Sequence, residues 1–572
     1  MLKETIKKSG RAPARAWLKS YEPEVEASPV FPEKPLYALL DEAAAMHALR
    51  PCVEFKGRIY SYTEIRQLSD RLAKGLAKAG FKPGMKLGLF LPNCPIFVAF
   101  FYAGLKAGGT IVNFNPLYAE VEVAHQIIDS ETDFIVTLDL KVLLNKFATM
   151  FDQTKVQRVI VCSLADQLPL LKSYLFRVAK RAEIAVMPSD PRYVSAHELQ
   201  KNDGKFKPVS VNPKTDIAVL QYTGGTTGIP KGAALTHFNL YANALQCKAW
   251  FRMADSPESR SVGIIPLFHA FAMTCMMNWS IAVGGSMLLE PRLDVTKLLA
   301  LIDKRKPNVF IGVPTLYTAL LSHPDFERYD LSSIKYAIAG GAPLPLSLAE
   351  EFKRRTGVAI WEGYGLSEAS PVACINPVHL PNRPGSVGVP IPGTICEIVS
   401  IEDHTTVMKT GERGEICFRG PQIMQGYWHN TDATAEVIRD GRLHTGDIGY
   451  MDQDGYVFIT DRIKEMIVTS GYKVYPRQVE EAIYQHPEIK ECAVFGIDDA
   501  YRGQAIHATV CVKDGARLTK KELDQFLESR LSPIEKPRSY DFRDELPKTA
   551  VGKIHKKLLV DEYSAAAKEK VA

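Results

Sequence analysis

The sequence lacks a strong excess of charge of either sign, because 70 lysine and arginine residues oppose 65 aspartate and glutamate residues in a chain of 572. A net charge of +5 is too small in a chain of this size to predict a nucleic acid partner. The hydrophobic share of 46% and the charged share of 24% are typical of globular proteins. The length suits roughly two to four domains with large buried cores.

Cysteine pairs at metal-binding or redox spacing are also missing. The ten cysteines lie far apart, without a C-x-x-C pair and without a histidine cluster at zinc spacing. We therefore predict reduced and mostly buried thiols.

No apolar run follows the basic N-terminal stretch, residues 1–19, which has six lysine or arginine residues against one glutamate. Without such a run the stretch does not fit a signal peptide, and we expect a cytoplasmic protein. The stretch either contacts anionic lipid head groups or is a solvated tail. Peripheral contact with the cytoplasmic face of a membrane therefore stays open, as does a homodimer.

One uncharged run, residues 271–289, has about the length of a membrane span. It contains Asn278, Gly284 and Gly285, and prolines lie close outside both of its ends. This composition predicts a buried helix followed by a buried strand rather than a span.

Short β-rich segments alternate with helical patterns over much of the chain, for example IAVLQYT (217–223) and IKYAIAGG (334–341). Repeated β-loop-α units predict an α/β fold in which helices cover largely parallel sheets. Ligands in such folds bind at loops beyond the carboxyl ends of strands. The richest loops here, near residues 224, 341 and 365, all occupy that position.

The pattern changes beyond about residue 460 to a compact α+β module. Its helical segments, PRQVEEAIYQH and KKELDQFLESRL, accompany the β-rich ECAVFGI and AIHATVCV, and a lysine-rich tail follows. We predict a large N-terminal domain, residues 1–460, and a small C-terminal domain, residues 461–572.

The strongest local signal is the loop at residues 222–232, YTGGTTGIPKG. Glycines let backbone N–H groups approach phosphate oxygens, threonine hydroxyls add donors, and a lysine adds positive charge. It is not a Walker A motif, because no G-x-x-x-x-G-K-[ST] occurs in the chain. We interpret it as a phosphate cradle. Its residues are Thr223, Gly224, Gly225, Thr226, Thr227, Gly228 and Lys231.

Five segments in sequence order, of which this loop is the first, resemble the motifs of the adenylate-forming enzymes. That family includes acyl-CoA synthetases, luciferases and the adenylation domains of peptide synthetases. The other four segments are 361–368 (WEGYGLSE), 444–447 (HTGD), 461–467 (DRIKEMI) and 547–554 (PKTAVGKI). One G-Y-G or T-G-D alone would be a weak signal, whereas five motifs in family order are a specific one.

The resemblance implies a ligase that uses ATP to convert a carboxylic acid into an acyl-adenylate, with release of pyrophosphate. The acyl group then passes to the thiol of coenzyme A. Because the substrate carboxylate attacks and the acceptor brings its own thiol, the reaction needs no catalytic nucleophile on a side chain. The implied cofactors and cosubstrates are ATP, Mg²⁺ and coenzyme A.

Three residues carry the implied catalytic roles. Lys553 would offset the negative charge that builds up as a carboxylate attacks the α-phosphate. Glu368 and the Thr223 hydroxyl would hold Mg²⁺ against the ATP phosphates, because a hard cation prefers oxygen ligands. Without the family, Glu368 is equally a surface glutamate, and the basic run around Lys553 a solvated face.

Other motif residues are implied to hold the nucleotide. Tyr364 offers a flat face for adenine, and Asp447 would accept hydrogen bonds from the ribose hydroxyls with help from Arg462. From the residues alone, a core aromatic side chain and ordinary turns explain these segments. The implied set also includes Gly340, Gly341, Ala342, Gly363, Gly365, Leu366, Ser367 and Lys464.

The family is known to rotate its small domain between the two steps, and Asp461 matches the hinge position. Rotation of a mobile C-terminal domain would withdraw Lys553 and bring in segment 470–476 (SGYKVYP). Without the resemblance, this segment is an ordinary turn. The residues implied to face coenzyme A are Gly471, Tyr472 and Lys473.

Segments 266–271 (PLFHAF), 385–390 (GSVGVP) and 470–476 resemble bacterial long-chain fatty-acid–CoA ligases most. His269 and the apolar stretch after it, with Met273, Met276 and Met277, would line an acyl tunnel, although core packing explains the same pattern. We therefore predict a long-chain fatty acid as the substrate. A medium-chain or aromatic acid, or an enzyme that loads an acyl carrier protein, are the alternatives.

Two positions depart from the pattern of many relatives. Arg442 stands where tryptophan is common before the T-G-D motif, and Phe238 stands where arginine is common. We expect both to alter local packing and not the core reaction.

Overall fold

The computed structural model describes residues 15–223, 230–251, 259–470, 472–499, 501–549 and 552–569. Four β-sheets organise these residues, and two of them are largely parallel. Helices cover the two parallel sheets, so the predicted α/β class is confirmed.

The first sheet has nine strands, and six consecutive strands of it run parallel to one another. Ala339 pairs with Glu362 on the adjacent strand, so the glycines that follow them, Gly340 and Gly363, lie side by side at the carboxyl edge. In spatial order the strands are Val389–Pro390, Val372–Ile375, Ile360–Gly365, Tyr336–Ala339, Val309–Gly312, Arg260–Gly263, Ser286–Leu289, Pro51–Phe55 and Arg58–Ser61.

The second sheet has eight strands, and again six consecutive strands run parallel to one another. Thr223 pairs with Lys231 across two antiparallel strands, which brings the two ends of the glycine-rich loop together. The strands are Gly426–Tyr427, Lys231–Thr236, Ile217–Thr223, Thr110–Asn113, Lys86–Leu89, Phe134–Leu138, Arg158–Cys162 and Tyr193–Ser195.

Two five-stranded sheets follow. The third is antiparallel and consists of Ile395–Val399, Gly414–Arg419, Arg442–Met451, Ile438–Arg439 and Val457–Arg462. The fourth lies in the C-terminal part and consists of Tyr472–Val474, Ile467–Thr469, Gly503–Val512, Ile489–Asp499 and Ser539–Arg543.

Some of the α-helices have a start that the local sequence explains. Tyr62–Lys78 shows a local cause of helix formation, because Ser61 and Glu64 form a capping box at its start. The α-helices are Ala38–Met46, Tyr62–Lys78, Pro95–Lys106, Glu120–Ser130, Lys141–Leu144, Met150–Gln153, Leu170–Ala179, Ala196–Leu199, His237–Phe251, Ala270–Ala272, Trp279–Ala282, Val295–Arg305, Pro314–Leu321, Leu346–Thr356, Thr431–Val437, Pro476–Tyr484, Lys520–Leu527 and Lys556–Glu569.

The uncharged run forms short helical pieces and a buried strand, Ser286–Leu289, as its composition predicts. One of these pieces, Met273–Asn278, is a π-helix. Within the described part of the chain, no helix combines the length and the apolar character needed to cross a bilayer. All ten cysteines are buried and unpaired, as predicted.

The apolar cores separate along the chain. The main core contains side chains from Trp17 to Val457, and two smaller cores contain side chains between Ile467 and Leu559. The strand Val457–Arg462 crosses the predicted boundary after residue 460, because its pairing with the preceding strand extends to Arg462. The domain limits therefore stay a prediction.

Candidate active site

A cavity of about 2310 Å³ opens at the carboxyl edges of the two parallel sheets and continues to the C-terminal lysine motif. Single ligand pockets are usually about 300–1,000 Å³, so this one has room for more than one ligand. Seventeen of the predicted site residues line it. They are Thr223, Lys231, His269, Gly340, Gly341, Ala342, Gly363, Tyr364, Gly365, Leu366, Ser367, Glu368, Asp447, Asp461, Arg462, Lys464 and Lys553.

Two further predicted residues are not brought to this cavity. Tyr472 and Lys473 are exposed and do not line it. The other six lie outside the described residues, namely Gly224, Gly225, Thr226, Thr227, Gly228 and Gly471.

At one end of the cavity, a carboxylate, two hydroxyls and a lysine lie close to the residues at which the glycine-rich loop begins and ends. The Tyr427 hydroxyl donates to Glu368 Oε1 at 2.6 Å, and the Lys231 ammonium lies 5.3 Å from the centre of the Tyr427 ring. Burial and the charge of Glu368 raise the pKa of Tyr427, so its hydroxyl stays a donor. The Thr223 hydroxyl donates to the Lys231 carbonyl at 3.5 Å. A carboxylate and a hydroxyl therefore lie beside the predicted phosphate cradle.

Asp447 is buried and has a partner on each carboxylate oxygen. The Tyr364 hydroxyl donates to one oxygen, and Arg462 Nε donates to the other at 3.0 Å. Asp447 and Arg462 face each other in the strand register, which explains how 15 residues of separation still give a contact. Burial and the Asp447 charge raise the pKa of Tyr364 well above its ordinary value. The side chains predicted to bind adenine and ribose are thus hydrogen-bonded to each other.

Glu415, which the sequence analysis missed, positions the turn before Asp447. Its two carboxylate oxygens lie 2.7 Å from His444 Nδ1 and 2.9 Å from the Gly446 amide nitrogen, which donates to it. Gly446 has φ of +74°, a value that favours glycine. Because Glu415 lies on a different strand, no local pattern could have indicated this contact.

The Lys553 loop docks directly against the large domain. The Thr315 hydroxyl donates to the Gly552 carbonyl at 2.6 Å, and the Thr549 amide donates to the Lys553 carbonyl at 2.7 Å. The Lys553 Cε atom lies 3.4 Å from the point where a side chain at Gly341 would begin. A residue with a side chain at position 341 would therefore crowd the lysine.

Charge and burial set the ionisation of the two basic groups in this part of the cavity. Burial and the neighbouring Arg462 charge lower the pKa of Lys553 to about 8, against the opposing charges of Asp447 and Glu368. Burial and the Lys553 charge lower the pKa of His269 to about 3, so this imidazole is neutral near pH 7. His269 Nδ1 accepts the Phe271 amide at 3.2 Å, which leaves Nε2 to carry the hydrogen.

An apolar part of the cavity lies next to His269. The π-helix Met273–Asn278 turns Cys275 toward it, and Trp279 follows at the start of the next helix. π-Helical turns are frequent at functional sites. Aromatic side chains supply further walls, namely Phe251, Phe268 and Phe271. The three methionines considered for an acyl tunnel are buried core residues and do not line the cavity, and they are Met273, Met276 and Met277.

The predicted hinge residue is held by backbone donors. Asp461 accepts the amides of Arg462 at 2.6 Å and Arg477 at 2.8 Å, and burial raises its pKa to about 6. Nearby, the Lys556 ammonium lies 2.8 Å from Glu480 and 3.0 Å from Glu465. Burial lowers the pKa of Lys556, but these two carboxylates more than offset it and raise the pKa overall.

A second, much smaller cavity lies in the C-terminal part beside Tyr472. Three cationic side chains that the sequence analysis missed line it, namely Arg502, Lys536 and Arg538. They come from separate segments of the chain, so only the fold brings them to the segment at 470–476.

The two departures from the common pattern have structural partners. Arg442 Nε donates to Glu397 at 2.6 Å in the third sheet, and the Lys214 ammonium lies 5.7 Å from the Phe238 ring centre. Neither residue lines the main cavity, in agreement with an effect on local packing.

Comparison with known proteins gives matches along nearly the whole chain. A family model described as AMP-binding enzyme matches residues 40–428, and one described as AMP-binding enzyme C-terminal domain matches residues 478–553. The long-chain-fatty-acid–CoA ligase of Bacillus subtilis (strain 168) is 41% identical over 552 residues, which are 96% of this chain and 98% of that protein.

Two further similarities come from an aromatic-acid enzyme and a solved structure. The feruloyl-CoA synthase of Amycolatopsis sp. is 33% identical over 514 residues, which are 90% of this chain and 96% of that protein. The crystal structure of ATP-bound MatB from Rhodopseudomonas palustris superimposes with a TM-score of 0.82 at 27% identity, and the match covers 92% of this chain and 98% of that one.

Proposed function

The chain belongs to the AMP-binding enzymes, which confirms the resemblance drawn from its five motifs, and from this premise we propose that it makes the coenzyme A thioester of a long-chain fatty acid. ATP converts the acid into its acyl-adenylate with release of pyrophosphate, and the acyl group then passes to the coenzyme A thiol with release of AMP. The proposal rests mainly on the position of Lys553. This residue belongs to the C-terminal part of the chain but lines the same cavity as Glu368 and Asp447.

For the first half-reaction, the described geometry supports a division of roles. Asp447 and Arg462 would hold the ribose, with the Tyr364 ring beside the base. The Lys553 ammonium would lie near the attacked α-phosphate and offset charge in the transition state. His269, neutral and with hydrogen on Nε2, would donate to the substrate carboxylate. Residues 1–460 and 461–572 would act as the two bodies that move about Asp461 between steps.

Mg²⁺ fits the donor set at the phosphate end. Glu368 and Thr223 offer oxygen atoms, which a hard cation prefers, and Lys231 adds positive charge for the phosphates. When bound, the ion would neutralise charge on the triphosphate. Tyr427 would orient the Glu368 carboxylate through its hydrogen bond to Oε1.

For the second half-reaction, coenzyme A needs cations for its phosphates. Arg502, Lys536 and Arg538 surround Tyr472 in the smaller cavity. We infer that these cations bind coenzyme A phosphates after the C-terminal domain has rotated, with the segment at 470–476 facing the adenylate.

The pH dependence of adenylate formation should reflect the Lys553 ammonium. Its pKa of about 8 means that it is charged below this pH and neutral above, so kcat/KM should fall as the pH rises through about 8. ATP bound beside it adds negative charge and raises its pKa, so kcat should persist to higher pH. Lys553→Arg, measured by pyrophosphate exchange, should lose the alkaline decline because guanidinium stays charged. A wild-type kcat/KM that is constant up to about pH 10 would contradict this assignment.

A panel of acids tests the substrate. The Bacillus subtilis relative is named for long-chain fatty acids, and the apolar walls beside His269 suit an acyl chain. With ATP and coenzyme A, kcat/KM should rise with chain length and be highest for long chains. The feruloyl-CoA synthase relative and the aromatic walls favour an aromatic acid as the second candidate. Higher kcat/KM for ferulate, or thioester formed only on a holo-carrier protein, would contradict the proposal.

Location and assembly stay predictions. A long-chain acid dissolves in bilayers, which favours a cytoplasmic enzyme in peripheral contact with the membrane. A homodimer is likewise retained as a prediction.

A further inference from the structure

The helix Leu170–Ala179 presents its apolar face to solvent. None of its ten residues is buried. Five large apolar side chains are exposed, including Leu170 at 92% and Leu171 at 71%. The other three are Tyr174, Leu175 and Val178. A surface helix usually turns its apolar face toward the core, whereas this helix turns its apolar face toward solvent.

The spacing of these side chains makes one continuous stripe. Positions 170, 174 and 178 form one row and 171 and 175 the next, because residues four apart lie above one another on a helix. The opposite side contains Ser173 and Phe176, which are the half-buried positions, and Phe176 packs against the main core. The helix is thus anchored by one side while the apolar stripe points away from the protein.

Cations border this stripe. Lys172 and Arg177 lie on its two flanks by helical geometry, and Lys180 and Arg181 follow the last turn. Lys172 donates to the Lys56 carbonyl, Arg177 pairs with Asp166, and Lys180 pairs with Glu183. Four basic and two acidic side chains leave a net charge of about +2 around the helix at neutral pH.

We propose that the stripe of Leu170, Leu171, Tyr174, Leu175 and Val178 docks the enzyme in the interface of an anionic lipid bilayer. An apolar face with lysine and arginine at its flanks matches the division of a bilayer surface into acyl chains and negative head groups. A second protein copy fits less well. Ten residues span about 15 Å, and such a face covers far less than the roughly 800 Å² per partner of a stable dimer. Docking of this kind would be the same whichever acid the enzyme activates.

Flotation of the purified full-length protein with vesicles tests the proposal, in the absence of substrates. Binding should be at least about tenfold stronger to vesicles containing phosphatidylglycerol than to pure phosphatidylcholine, and salt should weaken it. Leu171→Glu/Leu175→Glu should lower binding by about tenfold or more, because it places two charges where apolar contact is needed.

The matched control is Val30→Glu/Leu49→Glu, which adds the same charge at two other exposed positions, 94% and 90% accessible. It should bind vesicles as the parent does, and thermal unfolding should be alike for all three proteins. Equal vesicle binding by both double variants would overturn the proposal. The proposal would also be overturned if the parent did not bind vesicles but formed a dimer, and if Leu171→Glu/Leu175→Glu dissociated that dimer. The stripe would then serve self-association.

Discussion

Lys553→Ala should lower the rate of acyl-adenylate formation by about 10²–10³-fold or more, the range expected when a positioned charge is removed from a charged transition state. The ammonium is placed for this role by the docking of Gly552 on Thr315 and by the space over Gly341. Exchange of labelled pyrophosphate into ATP measures this half-reaction. Thioester formation from supplied acyl-adenylate should fall much less, because domain rotation would withdraw the lysine before that step.

Lys521→Ala is the appropriate control, since Lys521 is an exposed lysine of the C-terminal part that does not line the cavity. It should leave both half-reactions close to the parent rates. If Lys553→Ala slowed both half-reactions equally, the lysine would not be specific to adenylation, and alternation of the C-terminal domain about Asp461 would lose its support.

Elements with a clear local pattern were predictable from sequence. The strands Ile217–Thr223 and Tyr336–Ala339 fall on the segments 217–223 and 334–341, which were predicted to be β-rich. Parallel strands also place their carboxyl ends at one edge, which is why loops near 224, 341 and 365 were expected to carry a site. The domain limit after residue 460 stays a prediction, because hydrogen bonding to the preceding strand extends Val457–Arg462 past that position, and local composition does not encode this pairing.

Site residues whose partners are distant in sequence could not be predicted from the sequence. Tyr427 lies 59 residues from Glu368, and it arrives there because the strand Gly426–Tyr427 joins the sheet beside Lys231–Thr236. Glu415 similarly meets the turn before Asp447 from a neighbouring strand. Each is an ordinary residue in its own segment, and only the pairing of strands gives it a place near the cavity.

The sequence left open whether the apolar stretch after His269 lines an acyl tunnel or packs in the core. The stretch after His269 has the methionines of a flexible tunnel, yet they are buried in the core. A π-helical turn changes the angular position of each residue relative to an α-helix, so the sequence alone does not show which side chains of this stretch face the cavity. Cys275 and Trp279 line the cavity instead.

Glu368→Gln should reduce adenylate formation by about 10²-fold or more and raise the Mg²⁺ concentration needed for half-maximal rate by about tenfold. The amide keeps the size of the side chain but removes the negative charge that a hard cation requires. Mg²⁺ titrations of pyrophosphate exchange measure both effects.

Tyr427→Phe tests how much of the effect of Glu368→Gln comes from losing the carboxylate charge and how much from losing its orientation. It removes only the hydroxyl that donates to Glu368 Oε1 at 2.6 Å and keeps the ring beneath the Lys231 ammonium. Since the carboxylate remains, this variant should lose less than about tenfold in rate, with a small shift in Mg²⁺ requirement. An Mg²⁺ titration of Glu368→Gln that superimposes on that of the parent would remove Glu368 from the metal site and leave the Thr223 hydroxyl without its proposed partner ligand.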